Sequence, residues 1–241
     1  MKVAALYDIH GNLPALEAVL REVPEDAIVL IGGDTAAGPM PAGTLERLLA
    51  LGDRAVWIRG NADREGGVES ELWRRRTEWM WEQLGGENRA FLNGLPGTAS
   101  LTVDGLGETL FCHGSPRSDE EAITAVTAEE RLRAILADAG ASLVVCGHTH
   151  HQFDRRSDGV RVVNPGSVGM PYEGRTGAYW ALLGPEVEHR RTEYDLEAAT
   201  AAIRESGYPE PDELVETLAT PPTAKEAAEF LEQQALEKEA P

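Results

Sequence analysis

Two aspartates, one asparagine and four histidines stand where short apolar runs of this 241-residue chain give way to glycine-bearing loops. Asp8 and His10 follow the first such run, Asp34 the second and Asn61 the third; His113 follows a later run, and His148 with His150 another. Carboxylate, amide and imidazole together make a mixed oxygen and nitrogen donor set. That set suits manganese, iron, zinc or nickel better than calcium, and it contains no soft sulfur. An aspartate shared between two cations, the part open to Asp34, allows a spacing of ~3.5–4 Å, that of two-metal hydrolytic sites. The chemistry expected of such a set is hydrolysis at a two-metal centre.

Because the seven residues are spread along the chain from Asp8 to His150, the fold must gather them. The first half alternates predicted strands at 2–7, 27–31 and 55–58 with predicted helices at 13–22 and 42–51, the rhythm of an α/β layered fold. In such sheets the loops beyond the carboxyl ends of the strands converge on one crevice. From about 64 to 96 the pattern becomes a helical excursion carrying Trp73, Trp79, Trp81 and Phe91, expected to pack a helix onto the core, and Arg74 to Arg76, expected to be a solvated face paired with Glu71 and Glu78. Beyond 99 the sequence predicts hairpins, a helix at 128–139, strands near 143–146, 152–156, 159–164, 177–183 and 185–192, and a helix at 195–206. The expected organisation is one catalytic domain over 1–217, with an acidic tail of loosely held helix or disorder over 218–241.

Composition narrows the function classes. A hydrophobic fraction of 42% with 26% charged residues is that of a folded globular chain. With 22 Lys and Arg against 41 Asp and Glu, the formal charge of −19 disfavours stable nucleic-acid binding. An anionic substrate remains compatible with it, since bound cations reverse the local sign of a site. Cys112 and Cys146 form no CxxC pair and are expected in the core. No apolar run is long enough for a bilayer, and Met1-Lys2 leads straight into a core-like strand without signal-peptide layout, so a cytoplasmic protein is expected.

The segments Asp8-Ile9-His10, Gly33-Asp34, Gly60-Asn61-Ala62-Asp63, His113-Gly114 and Gly147-His148-Thr149-His150 occur in the order found in calcineurin-like metallophosphoesterases, and the chain resembles that family. Each segment alone is a weak signal; together they are highly specific. The runs from Asp8 to Leu13 and from Asn164 to Gly169 look like the small prokaryotic branch that groups phosphodiesterases with relatives of diadenosine tetraphosphatases. The resemblance implies a four-layer α/β/β/α sandwich of two mixed sheets flanked by helices. It implies two divalent cations, manganese first, with iron, nickel, zinc or magnesium as alternatives. One cation would take Asp8, His10, Asp34 and His150; the other Asp34, Asn61, His113 and His148.

The implied reaction is attack by a metal-bridging hydroxide on a phosphodiester or nucleotide phosphoanhydride. The substrate would be a small phosphorylated molecule such as a nucleotide, and a homo-oligomer is compatible with the sequence. A phosphomonoesterase and a catalytically weak metal-binding scaffold are the alternatives. Many relatives have His after the asparagine of the third motif as proton donor, whereas this chain has Ala62. The catalytic set expected here is therefore Asp34, Asn61, Asp63 and His151. His151 is the nearest substitute donor in sequence, or else a solvated loop residue or a partner of a ligand. Asp63 is either an acceptor orienting a ligand or His151, or an exposed loop carboxylate. Arg64 and Arg117 are candidates to steady a phosphate, or rim contacts.

Overall fold

Every residue of the strand Val3–Leu6 is buried, because the strand is covered on both faces, as a nearly continuous apolar run requires. The computed structural model describes residues 1–66 and 70–239; residues 67–69 of the excursion and the last two of the expected tail lie outside the described residues. In chain order the elements are β1 (Val3–Leu6), α1 (Leu13–Glu22), β2 (Ile28–Ile31), α2 (Pro41–Leu49), β3 (Ala55–Trp57), α3 (Glu71–Asn93), β4 (Thr98–Val103), β5 (Gly107–Cys112), α4 (Glu129–Leu136), β6 (Leu143–Val145), β7 (Gln152–Ser157), β8 (Val160–Pro165), β9 (Ala178–Leu183), β10 (Val187–Thr192), α5 (Leu196–Glu205), α6 (Pro211–Ala219) and α7 (Ala224–Glu239). Among the described residues no helix is long and apolar enough to cross a membrane.

The strands form two mixed five-stranded sheets, ordered β10-β9-β1-β2-β3 and β4-β5-β6-β8-β7. In the first, β1, β2 and β3 are parallel and β9 runs antiparallel to β1. In the second, β5, β6 and β8 are parallel, with β4 and β7 as antiparallel edges. Side chains alternate faces along a strand, so β1 serves two cores. Ala4 and Leu6 join Leu16, Val19 and Trp180 under α1. Val3, Ala5 and Tyr7 meet Phe111, Val145 and Val163 between the sheets. The Tyr7 hydroxyl crosses that interface and donates to the Val145 carbonyl at 3.1 Å. A third cluster packs α4 residues Leu132, Ile135 and Leu136 on the far face of the second sheet. The result is the expected sandwich of two mixed sheets flanked by helices.

Helix boundaries follow local chemistry. Asn12 caps α1 by accepting from the Ala15 N–H at 3.3 Å, with proline in the first turn, where its missing N–H costs nothing. The excursion is α3, broken by a non-helical Gly85 at φ 71°. It differs from expectation at two places: Trp73 is 39% exposed, and Arg76 is buried while Arg74 makes the predicted pairs with Glu71 and Glu78.

The C-terminal segment also differs. The boundary expected at 218 falls inside α6, whose Leu214, Val215 and Leu218 pack against Ile203, Tyr208 and Met170. Their spacing follows one helix face, while Asp212, Glu213 and Glu216 sit on the exposed one and give the segment its acidic look. In α7, Ala227, Ala228 and Glu232 are buried. A Glu232 oxygen accepts from the Thr127 hydroxyl at 2.6 Å and from the Thr124 hydroxyl at 3.0 Å. Removing a buried acceptor leaves its donors to be satisfied elsewhere, so Glu232→Ala is expected to lower unfolding stability by about 1–3 kcal/mol in urea titrations. An unchanged midpoint and slope would mean that this contact does not hold α7.

Candidate metal centre

The loops that follow β1 and β2 are stitched together by backbone hydrogen bonds from Asp8 N to Gly33 O, His10 N to Asp34 O and Gly11 N to Thr35 O, at 3.2, 2.9 and 3.1 Å. The loop after β6 joins them when His148 N donates to Asp8 Oδ2 at 2.9 Å. The loop after β8 joins through Ser167 Oγ and Gly169 N, which both donate to the Asp8 carbonyl, at 2.7 and 3.0 Å. Such convergence leaves little room for side chains. A Cβ on Gly60 would sit 2.2 Å from Asp34 Oδ1, and one on Gly147 would sit 2.7 Å from Asp8 Oδ2.

Asp8, His10, Asp34, His148 and His150 all take positive φ, from 46° to 67°. Left-handed backbone at a residue other than glycine costs on the order of 1–3 kcal/mol and persists only where surroundings impose it. Five such residues in one crevice mark a place where backbone comfort yields to the aim of side chains.

Three histidines are aimed in the same way. His10 Nδ1 lies 3.1 Å from Ala37 O, His113 Nδ1 2.8 Å from Gly32 O and His150 Nδ1 2.8 Å from Met170 O. A ring nitrogen beside a carbonyl must be the protonated one, so a neutral ring turns the lone pair of Nε2 into the crevice. His10 Nε2 and His150 Nε2 then face each other at 3.2 Å. His150 Nε2 is 3.3 Å from Asp8 Oδ1, and that oxygen is buried without a hydrogen-bond partner among the described residues. Two opposed lone pairs beside a bare carboxylate oxygen fit a cation. Asp8, His10 and His150 form one group whose ligand atoms lie within 4.8 Å of one another, and Asp34, His113 and His148 form a second. Asp34 faces both: Oδ2 is 3.7 Å from His10 Nε2 and Oδ1 is 3.5 Å from His113 Nε2. Asn61 Oδ1 is 3.1 Å from His113 Nε2, at the second group.

The electrostatics agree. Burial alone would raise the pKa of Asp8 and Asp34, yet facing histidines hold both below the usual carboxylate range, His150 at Asp8 and His113 at Asp34. Burial opposes charge on His113 too, but Asp34 and Asp8 lift it to about 10. His148 goes the other way, to about 4, through burial and the proximity of His113. The two aspartates thus favour positive charge in the crevice, a demand that a divalent cation would meet.

The remaining expected site residues have other surroundings. Asp63 is fully buried and accepts from Thr35 N and Gly60 N, each at 2.9 Å, so it is no exposed loop carboxylate; it pins the Asp34 loop to the Asn61 loop. Burial, with Asp34 nearby, raises it to about 7. His151 is buried, with Nδ1 2.8 Å from Thr149 O and Nε2 accepting from Ala125 N at 3.4 Å. Arg64 forks onto Asp119 and reaches Glu120, and Arg117 pairs with Glu121.

Two supporting residues carried no assigned role in the sequence. Asn164 donates to Gly147 O at 2.9 Å and to Thr149 Oγ1 at 3.0 Å, fixing the loop of His148 and His150. Ser167 holds the Asp8 carbonyl. The run from Asn164 to Gly169 was the available signal, and it named no function for either side chain.

Comparison with known proteins agrees with the geometry. A metallophosphoesterase from Sphaerobacter thermophilus is 28% identical, with TM-score 0.77 over 91% of this chain and 99% of that one. A hypothetical protein, PH1004, from Pyrococcus horikoshii OT3 is 25% identical, with TM-score 0.79 over 90% and 97%. Phosphodiesterase YfcE of Escherichia coli K12 is 27% identical over 76% of this chain and 87% of its own length. Residues 1–184, which carry every ligand candidate, match the profile of the calcineurin-like phosphoesterase superfamily domain. The chain belongs to that superfamily of metal-dependent phosphoesterases.

Proposed function

We propose that this protein hydrolyses phosphodiester or nucleotide phosphoanhydride bonds at a centre of two divalent cations. The observation that carries the reading is the pairing of the bare Asp8 Oδ1 with the opposed Nε2 atoms of His10 and His150. Asp8, His10 and His150 would hold one cation, Asn61, His113 and His148 the other, with Asp34 shared. When bound, the cations supply Lewis acidity toward phosphoryl oxygens and acidify water. The chain's own residues hold the geometry: Asp63 fixes the Asp34 and Asn61 loops, and Asn164 fixes the loop of His148 and His150. In the overall reaction, water oxygen bonds to phosphorus, the bond to the leaving alcohol or phosphate breaks, and one proton passes to the departing oxygen.

Supply of that proton is the distinctive feature. Ala62 offers only a methyl group, and both ring nitrogens of His151 have backbone partners. His151 acts as a positioning residue, bracing the His148 loop against the turn at 124–127. Catalysis without a built-in general acid favours leaving groups that depart as anions. A metal-holding scaffold without turnover is the second reading, and Ala62 is the observation that favours it.

Metal-stripped protein should regain hydrolysis of bis(4-nitrophenyl) phosphate on addition of Mn²⁺, and Asp34→Asn should reduce it by more than ~100-fold. Two bound metals without turnover on diesters, monoesters or diadenosine tetraphosphate would select the scaffold. Across a series of aryl and alkyl esters, kcat/KM should fall steeply as leaving-group pKa rises, and Ala62→His should flatten the slope, raising alkyl-ester rates by up to ~100-fold. A shallow slope in the unaltered protein would reveal a proton donor elsewhere.

A further inference from the structure

A cavity of about 190 Å³ opens directly off the metal centre, with His10 in its wall. Its sides come from three segments far apart in sequence. Trp73 and Arg76 belong to α3, Tyr208 and Leu214 to the C-terminal region, and Met170 and Tyr172 to the loop after β8. The Met170 carbonyl anchors His150, and the Tyr172 ring stacks on the His150 imidazole at 4.8 Å between centroids, 27° apart. The cavity wall and the metal ligands are thus one packed unit.

Arg76 fixes the opposite wall. Its Nε donates to Pro209 O at 3.1 Å and its Nη2 to Glu210 O at 2.8 Å, which ties α3 to the start of α6. Its guanidinium lies 5.5 Å from the Trp73 ring centroid and 5.1 Å from that of Tyr208. Cationic contact of this kind stabilises both rings in place. Trp79 packs edge-on against Tyr208 at 5.6 Å. The rings are held before any ligand arrives, which is what recognition of a flat apolar group requires.

Volume sets the scale of the occupant. A cavity of ~150 Å³ accommodates benzene, so 190 Å³ takes one substituted ring next to the phosphoryl position. We propose that this cavity seats a planar aromatic ring, of the nucleobase or aryl class, carried by the ester on the side of phosphorus away from the leaving group. The assignment rests on the phosphoesterase reading for its link to the reaction; the ring site itself rests on the cavity.

The test compares two diesters with the same 4-nitrophenolate leaving group, thymidine 5′-(4-nitrophenyl) phosphate and ethyl 4-nitrophenyl phosphate. The unaltered protein should prefer the first in kcat/KM. Trp73→Ala, at a half-exposed position, and Thr217→Trp, which fills the cavity from α6, should each reduce the preference by ~10-fold, the scale of one lost base stack. Calorimetry on metal-free protein should show saturable heat with adenosine and none with ribose, and Thr217→Trp should abolish it. An unchanged preference in both variants, or no adenosine heat, overturns the ring site. Adenosine binding without hydrolysis of either diester overturns the hydrolase reading and leaves the ring site standing.

Discussion

The Asp8 carboxylate is the constraint around which the rest of the site is arranged. It is wholly buried, one oxygen is satisfied by the His148 N–H, and the other has no hydrogen-bond partner among the described residues. Withdrawing a carboxylate from water costs several kcal/mol even after relaxation, unless opposite charge arrives with it. The loops after β1, β2, β6 and β8 meet at this residue because each brings a donor to it, a histidine near it or a backbone hydrogen bond that locks its position. The parallel strands β1, β2 and β3, with β5 and β6 across the interface, bring their carboxyl ends to a common edge, and Tyr7 spans the two sheets one residue before Asp8. Fold and site are therefore joined at adjacent positions in the chain.

Much of this was readable from residue types. Buried strands announce themselves as apolar runs, and the predicted helix 13–22 coincides with the observed one. The ligand candidates were readable because they recur at strand ends beside glycine. Partnership was not readable. Nothing in the sequence distinguishes Arg74, paired with Glu71 and Glu78 on its own helix, from Arg76, which points into a contact with residues 133 and 134 positions away. Likewise the acidic residues of α6 and α7 read as a solvated tail, because net charge hides the apolar spacing of Leu214, Val215 and Leu218. Arg64, Arg117 and His151 were drawn toward the site by sequence proximity to motif loops, and tertiary partners give each of them other contacts.

The division of labour between elements follows from these contacts. Chemistry is fixed by loops at the ends of the central strands, whose close approaches allow little side-chain volume. The cavity beside them is walled by α3, the loop after β8 and the α5–α6 region, which join through Arg76. Helical walls of this kind can be reshaped without disturbing the strands, whereas a Cβ at Gly60 would collide with Asp34 and one at Gly147 with Asp8.

The positive φ angles carry a further consequence for how such sequences are interpreted. Aspartate, asparagine and histidine are several-fold enriched among residues that adopt the left-handed region, and β-branched or bulky residues are genuine outliers there. At Asp8, His10, Asp34, His148 and His150, backbone shape and the proposed coordination chemistry therefore select overlapping sets of amino acids. A descendant that had ceased to bind metal would still be under conformational pressure to retain several of them. Asn61 and His113 are absent from the positive-φ positions, so they lack that second source of selection. Their persistence is the more discriminating mark of a working centre.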